Sequence, residues 1–377
     1  MRRRIFACFL ATFVANGLAR FGYVVLIPML IVSGKLQPDQ SIQLGIAILV
    51  GYIFGSFSIG VLQKYWSLEA IAKLSFLCIA LSFFACFFDS LPFVWAWAWR
   101  FLAGLASAAL MVLAAPLSLS LVKEKHRSSV SGFIFSGIGI GAIFSGFVLP
   151  LFAPFIHWAW ILLGSLSLLA FFFALFSLKP LHPPKSPSQT SNFKPSFFFL
   201  LLVISYVLNA IGYLPHTLFW VDYLVRALHF SNAVAGASWA FFGLGSACGA
   251  ILSGFLARGI GLKWASIVVL AIKAFACLIP AFSSHLAWLN LSIFLMGCTT
   301  TGNVALTNAM ALRLVGKDAF ARASSWLTFN FAIFQALFSF IFSAGLHHVS
   351  FFSLFVFCGI ALILSFVVLL PVKEAKF

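Results

Sequence analysis

The stretch Gly51-Tyr-Ile-Phe-Gly55-Ser-Phe-Ser-Ile-Gly60 decides the fold, because its glycine spacing recurs 194 residues later in Gly245-Ser-Ala-Cys-Gly249-Ala-Ile-Leu-Ser-Gly254. A second pair of segments agrees with this repeat, since Phe101-Leu-Ala-Gly104 matches Phe294-Leu-Met-Gly297 at an offset of 193 residues. Two nearly equal offsets are typical of a duplicated unit. The sequence therefore predicts two related halves within its 377 residues.

The composition predicts a protein that is embedded in lipid. Charged residues make up 8% of the chain and hydrophobic residues 63%, whereas soluble globular proteins carry roughly 25% charged residues. A hydrocarbon core of about 30 Å requires roughly 20 apolar residues per helix, and twelve such runs can be counted, six in each half. Unbroken apolar runs of this length exclude a lipid-facing β-barrel, which needs short alternating segments.

We therefore expect an all-α integral membrane protein with twelve transmembrane helices in two pseudo-symmetric six-helix bundles. The predicted spans are 5–32, 41–62, 70–88, 92–117, 129–153 and 157–178 in the first half, and 197–221, 232–256, 264–282, 286–312, 323–345 and 349–370 in the second.

A hydrophilic segment from Lys179 to Pro195, rich in proline, serine and lysine, predicts a cytoplasmic linker between the halves. The predicted domains are a six-helix bundle at 1–178, the linker at 179–196 and a second bundle at 197–377. With the N-terminus inside, the loops and ends on that side hold 18 Lys and Arg residues and the opposite side holds two. This asymmetry predicts both termini in the cytoplasm of a multi-pass plasma-membrane protein.

The charged and reactive residues exclude several classes of protein. The net charge of +16 is spread over short loops, without the basic face that nucleic-acid binding requires. No Gly-x₄-Gly-Lys-Ser/Thr loop is present to hold ATP phosphates, and the seven cysteines lie apart, so neither a cofactor nor a metal site is expected. All seven carboxylates fall at helix ends or in loops, which disfavours a membrane-embedded enzyme, because such enzymes commonly need buried acids or bases.

The first predicted helix carries three polar side chains on one face. Asn16, Arg20 and Tyr23 are spaced i, i+4 and i+7, so in an α-helix they form a polar stripe. A cationic side chain at this depth costs about 2.5 to 3.5 kcal/mol on insertion scales and generally faces a cavity or a partner instead of lipid. We expect this stripe to line a polar cavity.

The seventh predicted helix carries a related stripe of residues spaced i, i+4, i+7 and i+11: Asn209, Tyr213, His216 and Trp220. Gly212 and Pro215 can bend the helix beside it. His216 is either a packing histidine or a proton carrier, because imidazole titrates near neutral pH. Asp222, one helical turn before Arg226, is either a second proton-coupling candidate or half of an interfacial salt bridge.

The tenth and eleventh predicted helices add further candidate binding residues. Thr300, Asn303 and Thr307 are spaced i, i+3 and i+7 on the tenth helix, where they either line the cavity or hold helices together. On the eleventh helix Asn330 and Gln335 do not share a face. The central depth of Asn330 favours it over Gln335 as a cavity residue.

The chain resembles a known superfamily over nearly its whole length. Two six-helix halves with a cytoplasmic central loop are similar to the major facilitator superfamily, and Arg100-Phe-Leu-Ala-Gly104 resembles its fourth-helix pattern Arg-x-x-x-Gly. Gly17-Leu-Ala-Arg20-Phe-Gly-Tyr23, Gly51-Tyr52 and Gly212-Tyr213 are similar to the YbfB/YjiJ-type bacterial branch. The resemblance implies a transporter in the bacterial inner membrane.

In that superfamily the first, fourth, seventh and tenth helices line the cavity. By resemblance this brings together the following candidates: Arg20, Arg100, Tyr213, His216 and Asn303. The ninth helix is peripheral there, so the long side chain of Lys273 is expected to extend toward the membrane surface.

These features predict a secondary active transporter that moves a small solute by alternating access. Arg20 and Arg100 give the cavity a positive field, so the expected substrate is a small organic anion, and proton coupling would use His216 or Asp222. The expected partners are this small molecule and the lipid bilayer, with no nucleic acid, and the protein is expected to be a monomer. Two alternatives remain open: a membrane-embedded transferase-type enzyme, and a transporter-like sensor that binds a ligand without flux.

Overall fold

The computed structural model of the protein describes residues 1–62, 65–88, 90–114, 116–119, 122–179, 195–345 and 350–372. Most of the predicted linker, residues 180–194, lies outside this part of the chain. Within the described ranges every regular element is a helix and no strand occurs. The all-α prediction is therefore confirmed.

Twelve helices follow one another along the described chain in the predicted order. Ten segments are long and apolar enough to cross a bilayer. One of these, Val130–Ser177, holds two α-helices joined by a 3₁₀ helix at Leu149–Phe155, and the helix that begins at Phe197 is additional. The helices are α1 (Arg2–Val32), α2 (Pro38–Leu62), α3 (Leu68–Ala85), α4 (Phe93–Ala114), α5 (Glu124–Val148), α6 (Ile156–Ser177), α7 (197–227, with interruptions), α8 (Asn232–Ile260), α9 (Leu262–Phe282), α10 (Leu286–Gly316), α11 (Ala323–Gly345) and α12 (Phe351–Leu369).

Local sequence signals set several of these helix ends. The side chains of Ser67, Ser196 and Ser350 accept hydrogen bonds from backbone N–H groups in the first turns of α3, α7 and α12, which are otherwise without partners in a helix. Gly316 ends α10 with a φ of 76°, a conformation that glycine adopts without steric cost.

The chain forms two compact units. The first unit contains Met1–Pro183 and Leu218–Gly243, and the second contains Pro184–Thr217 and Leu244–Phe377. The last part of α7 and the first part of α8 thus cluster with the first unit. The domain boundaries that the sequence predicts, after residues 178 and 196, stay a prediction.

The repeated glycines make the same close helix contact in each unit. In the first unit, a Cβ added at Gly51 would overlap the carbonyl oxygen of Phe101, so α2 and α4 touch through their backbones. In the second unit, a Cβ at Gly245 would overlap the carbonyl oxygen of Phe294, which joins α8 to α10 in the same way. Close backbone approach is the usual function of small residues in membrane helices.

A π-helical segment, Phe13–Gly22, interrupts α1 between two α-helical segments. Its Gly17 packs against Gly141 of α5, where neither residue leaves room for a side chain. A π-helix closes its hydrogen bonds from i to i+5, so its turn is wider than that of an α-helix and side chains three residues apart diverge more. The single face predicted for Asn16, Arg20 and Tyr23 assumed α-helical geometry, which this segment does not have.

Helix α7 is interrupted twice, and the first interruption directly follows Gly212, one of the residues that were predicted to bend it. Its first segment ends at Gly212 and the next runs over Leu214–Leu218. A third segment starts at Trp220 and continues into a π-helical turn at Tyr223–Ala227. Two interruptions in one helix change the direction of the side chains that follow each of them.

Candidate functional site

The first unit holds a guanidinium group surrounded by aromatic rings, which we call the Arg100 cage. Arg100 on α4 is fully buried, and its Cζ lies 4.6 Å from the ring centroid of Tyr23, 5.5 Å from that of Phe83 and 5.8 Å from that of Trp160. These rings come from α1, α3 and α6. Positive charge is attracted to the face of an aromatic ring, so the cage partly replaces the lost water.

Hydrogen bonding in the Arg100 cage is incomplete. Arg100 Nη2 donates to the carbonyl oxygen of Ala19 at 2.6 Å. Its Nε and Nη1 are buried and have no hydrogen-bond partner among the described residues. No described carboxylate pairs with it either. A buried charge of this kind is costly unless a further ligand pairs with it.

The three candidate residues of α1 have different surroundings within the first unit. Tyr23 lies in the Arg100 cage and donates from its hydroxyl to the carbonyl oxygen of Ser41 at 2.7 Å. Asn16 is 7% exposed, and its Oδ1 has no hydrogen-bond partner in the described chain. Arg20 is half-buried, and its Cζ lies 5.3 Å from the ring centroid of Phe21. Tyr23 and Arg100 are therefore brought into contact, while Arg20 lies outside the cage.

The second unit contains a second fully buried cation, Lys273 on α9. Its Nζ donates to Asn209 Oδ1 at 2.7 Å and lies 4.7 Å from the ring centroid of Tyr213. Gln335 of α11 donates from its Nε2 to the Tyr213 hydroxyl at 2.6 Å. We call these four residues the Lys273 cluster. No described carboxylate pairs with Lys273.

Sequence reasoning missed Lys273, which was predicted to extend toward the membrane surface. It points instead into the second unit, toward α7. The signal that could have identified it is depth, because Lys273 lies nine residues from the nearer end of α9, or about 13 Å along the helix axis. That distance is too long for an amine to reach the interface easily.

His216 lies beside the Lys273 cluster but is bonded elsewhere. It is fully buried, and its Nε2 lies 2.8 Å from Ser292 Oγ. Ser292 donates its only hydroxyl hydrogen to the carbonyl oxygen of Ala276 at 2.6 Å. Ser292 can therefore only accept from the imidazole, which assigns the Nε2–H to His216.

The residues of α10 and α11 also lie in the second unit. Asn303 and Thr307 are buried, and Thr300 is half-buried with its hydroxyl donated to the carbonyl oxygen of Met296 at 2.7 Å. On α11, Asn330 donates to the backbone oxygen of Trp326 in its own helix, whereas Gln335 reaches Tyr213. Gln335 therefore belongs to the Lys273 cluster and Asn330 does not, while the assignment of Asn330 to the binding site stays a prediction.

The last two candidates of α7 belong to the first unit. Trp220 is fully buried and donates from its indole N–H to Ser238 Oγ at 3.2 Å. Asp222 is also fully buried and pairs with Arg226 through both carboxylate oxygens. The salt bridge predicted from their i, i+4 spacing is present.

Comparison with known families decides the class of this membrane protein. The family model described as uncharacterised MFS-type transporter YbfB matches residues 12–370. The chain belongs to this family of transporters. The recognition of the YbfB-type branch of the major facilitator superfamily from the residues of α1, α2, α4 and α7 is thereby confirmed. No curated protein matches the sequence.

Solved transporters share the fold of this YbfB-type protein. The nucleoside transporter NupG superposes with a TM-score of 0.80 at 12% identity, over 98% of this chain and 100% of that chain. A POT family transporter in complex with a thioalcohol-conjugated peptide gives 0.78 at 12% identity, over 97% and 95%. A bacterial homologue of the iron transporter ferroportin gives 0.69 at 16% identity, over 97% and 98%. These proteins are a nucleoside transporter, a transporter in complex with a conjugated peptide and a homologue of an iron transporter, so the fold does not identify the substrate of this chain.

Proposed function

We propose that this YbfB-type protein is a secondary active transporter that moves a small organic anion across the bacterial inner membrane by alternating access. The observation that carries the proposal is the basic side chain buried in each unit. Among the described residues each unit holds one fully buried basic side chain, Arg100 or Lys273, and neither pairs with a carboxylate among them. A guanidinium stays protonated in proteins, so Arg100 supplies a fixed positive charge, which in a medium of low dielectric attracts anions and repels cations. Lys273 adds a second positive charge whenever its amine is protonated.

Arg20 is the third positive group of the proposed binding region. It is half-buried, so it is more accessible to a solute than Arg100, which is fully enclosed. We therefore assign first contact with the anion to Arg20, and longer-range stabilisation to Arg100 and its cage. The polar residues of α7 and α10 complete the proposed set of binding side chains: Asn209, Tyr213, His216, Trp220, Thr300, Asn303 and Thr307.

The membrane potential sets the energetic requirement for each direction of transport. A single charge gains or loses about 2.3 kcal/mol per 100 mV. With the cell interior negative, an anion can leave without coupling, whereas its accumulation needs a cation that moves with it. Direction thus depends on whether the protein carries a proton.

The substrate class can be tested by ligand-induced stabilisation, because a ligand that binds the folded state raises its apparent unfolding temperature. Purified protein would be heated with the sodium salts of acetate, lactate, succinate and benzoate, with glucose and uridine as neutral probes, and with choline as a cation. We expect stabilisation by one or more of the carboxylates alone. Flux of the stabilising anion into proteoliposomes would then distinguish a transporter from a sensor, which binds without flux.

Arg20→Ala tests the assignment of first contact. We expect it to abolish binding and flux of the anion. Arg258→Ala is the matched control, because Arg258 of α8 also lies 5.2 Å from the ring centroid of a neighbouring phenylalanine, Phe255, but at the end of its helix. Equal anion flux in folded Arg20→Ala and in wild-type protein would contradict the proposed substrate class.

A further inference from the structure

The Lys273 cluster contains a buried amine whose described hydrogen-bond and ring contacts are with neutral groups. Its Nζ contacts the Asn209 amide oxygen and the Tyr213 ring, and the side chain is 0% exposed. An ammonium ion without a counter-ion in an apolar interior loses most of its hydration energy, whereas a neutral amine loses little. Burial among neutral groups therefore stabilises the neutral form of Lys273 relative to the charged form.

An entering anion would reverse that preference. Asn209 Oδ1 lies 2.7 Å from the amine, so the amide N–H₂ of the same side chain can donate to an anion on its far side. Such an anion lies within about 6 Å of the amine, a distance at which opposite charges strongly favour ionisation. The amide would relay the interaction between the two charges.

We propose that Lys273 couples proton movement to anion transport. In the empty protein the amine is neutral. When the anion binds, Lys273 takes one proton from water, and the new ammonium ion neutralises the anion through Asn209. Release of the anion returns the proton to water, so one proton and one negative charge move together. The proposal rests on the anion transport proposed above, and it explains how coupling can occur at Lys273 without a carboxylate that pairs with it among the described residues.

The other titratable groups around Lys273 come from three helices. Helix α7 contributes Tyr213 and His216, α9 contributes Cys277 one turn after Lys273, and α12 contributes Cys358 beside Cys277. Gln335, the described α11 residue of the cluster, is neutral. Among these groups His216 is the alternative proton carrier. Its Nε2–H, however, already belongs to a chain of hydrogen bonds that ends at a backbone carbonyl.

The experiment measures proton uptake together with anion binding in purified full-length protein. Thermal shift with sodium acetate, lactate, succinate and benzoate first identifies a stabilising anion, with sodium chloride as the control. Proton uptake on addition of that anion is then followed with a pH indicator in weakly buffered detergent solution. These carboxylates are fully ionised above neutral pH, so they contribute no protons of their own.

The wild type should take up about one proton per bound anion on the alkaline side of the Lys273 titration. Because each bound anion then brings one proton, apparent anion affinity should fall about tenfold per pH unit there. Lys273→Arg keeps the positive charge but cannot release it, since a guanidinium stays protonated in proteins. That variant should bind the anion with no proton uptake and an affinity independent of pH.

A second variant keeps the test valid if the larger arginine does not fit. Lys273→Gln has a similar length, can still donate a hydrogen bond to Asn209 Oδ1 and cannot take up a proton, so proton uptake should again disappear while anion binding weakens and becomes independent of pH. Lys263→Arg, at the start of α9, is the matched control and should show wild-type uptake. Size-exclusion chromatography and the unfolding temperature without ligand report on the folding of each variant.

The outcomes separate this proposal from the proposed function. A stabilising anion that binds without proton uptake would overturn the role of Lys273 and leave anion transport intact. Uptake that persists in Lys273→Arg and disappears in His216→Gln would assign the proton to His216 and also overturn it. If none of the four carboxylates stabilises the protein, the proposed substrate class fails, and the coupling proposal fails with it.

Discussion

Among the described residues, the fully buried basic side chain of the first unit is Arg100, which is on α4, and that of the second unit is Lys273, which is on α9. These are not equivalent positions of the repeat. At the offset of 193 residues Arg100 corresponds to Ile293, and Lys273 corresponds to Ala80, both of them buried and apolar. The two halves therefore place their fully buried basic side chains on different helices.

The first helix of each unit, in contrast, retains the spacing of its polar residues. The same offset relates Asn16 to Asn209 and Tyr23 to His216. The glycine contacts between helices are retained too, with Gly55 against Leu105 and Gly249 against Cys298. A glycine at a close backbone contact cannot be replaced by a residue with a side chain. A basic side chain, in contrast, can enter the interior of a unit from any helix that faces this interior. This difference explains why the duplicated halves share their glycine contacts but not the positions of their buried basic side chains.

If Arg100 is retained for function and not for folding, its removal should not destabilise the protein. Arg100→Met replaces a guanidinium whose Nε and Nη1 have no described partner by an apolar chain of similar length. Replacement of a buried charge by apolar groups is often neutral or stabilising. We expect an unfolding free energy that is unchanged or raised by about 1 kcal/mol, and loss of the anion response, measured by thermal and chemical unfolding.

Arg4→Met is the matched substitution, and it should have the largest effect on stability. Arg4 is buried at the start of α1, donates to the backbone oxygens of Leu117 and Lys179, and pairs with buried Glu69. Its removal leaves Glu69 buried without this cation, at a cost of about 3–5 kcal/mol. Equal destabilisation by Arg4→Met and Arg100→Met would show that Arg100 stabilises the fold as Arg4 does.

A single added methyl group should disrupt the glycine contact between α8 and α10. Gly249→Ala places a Cβ on the carbonyl oxygen of Cys298, which is backbone and cannot move away. We expect a loss of about 3 kcal/mol, the upper part of the range for overpacking, measured as a lower midpoint of thermal unfolding. Gly254→Ala in the same helix is the control, because no atom lies within 4 Å of its added Cβ. Comparable losses in both variants would contradict the backbone contact as the cause, because helix propensity favours alanine over glycine and predicts no loss at either position.

The sequence predicts the parts of this fold that depend on composition and spacing. Hydrophobic run length predicts the helices, and the paired spacing of Gly51 and Gly245 predicts two equivalent helix contacts. Bending of α7 follows from Gly212 and Pro215. These are local properties, so they can be recognised without knowledge of the neighbouring helices.

The arrangement of the candidate site could be predicted only in part, because side-chain direction depends on the packing of other helices. The π-helical segment of α1 accompanies the contact of Gly17 with Gly141 of α5, and no pattern within α1 indicates it. The inward direction of Lys273 likewise depends on Asn209 of another helix. The depth of Lys273 could have shown that its amine does not reach the membrane surface, but not which partner it contacts.

The smallest expected change in stability concerns Gln335, the α11 residue of the Lys273 cluster. Gln335→Leu removes the 2.6 Å hydrogen bond to the Tyr213 hydroxyl, and hydrogen bonds between membrane helices contribute about 0.6 kcal/mol on average. Asn330→Leu removes a bond within its own helix, so it should leave stability nearly unchanged. We expect the same order in anion binding, because Gln335 contacts the tyrosine whose ring faces Lys273 and Asn330 bonds within its own helix. A stronger effect of Asn330→Leu on anion binding would place the binding residues of α11 on the face that the sequence originally favoured, away from the buried amine.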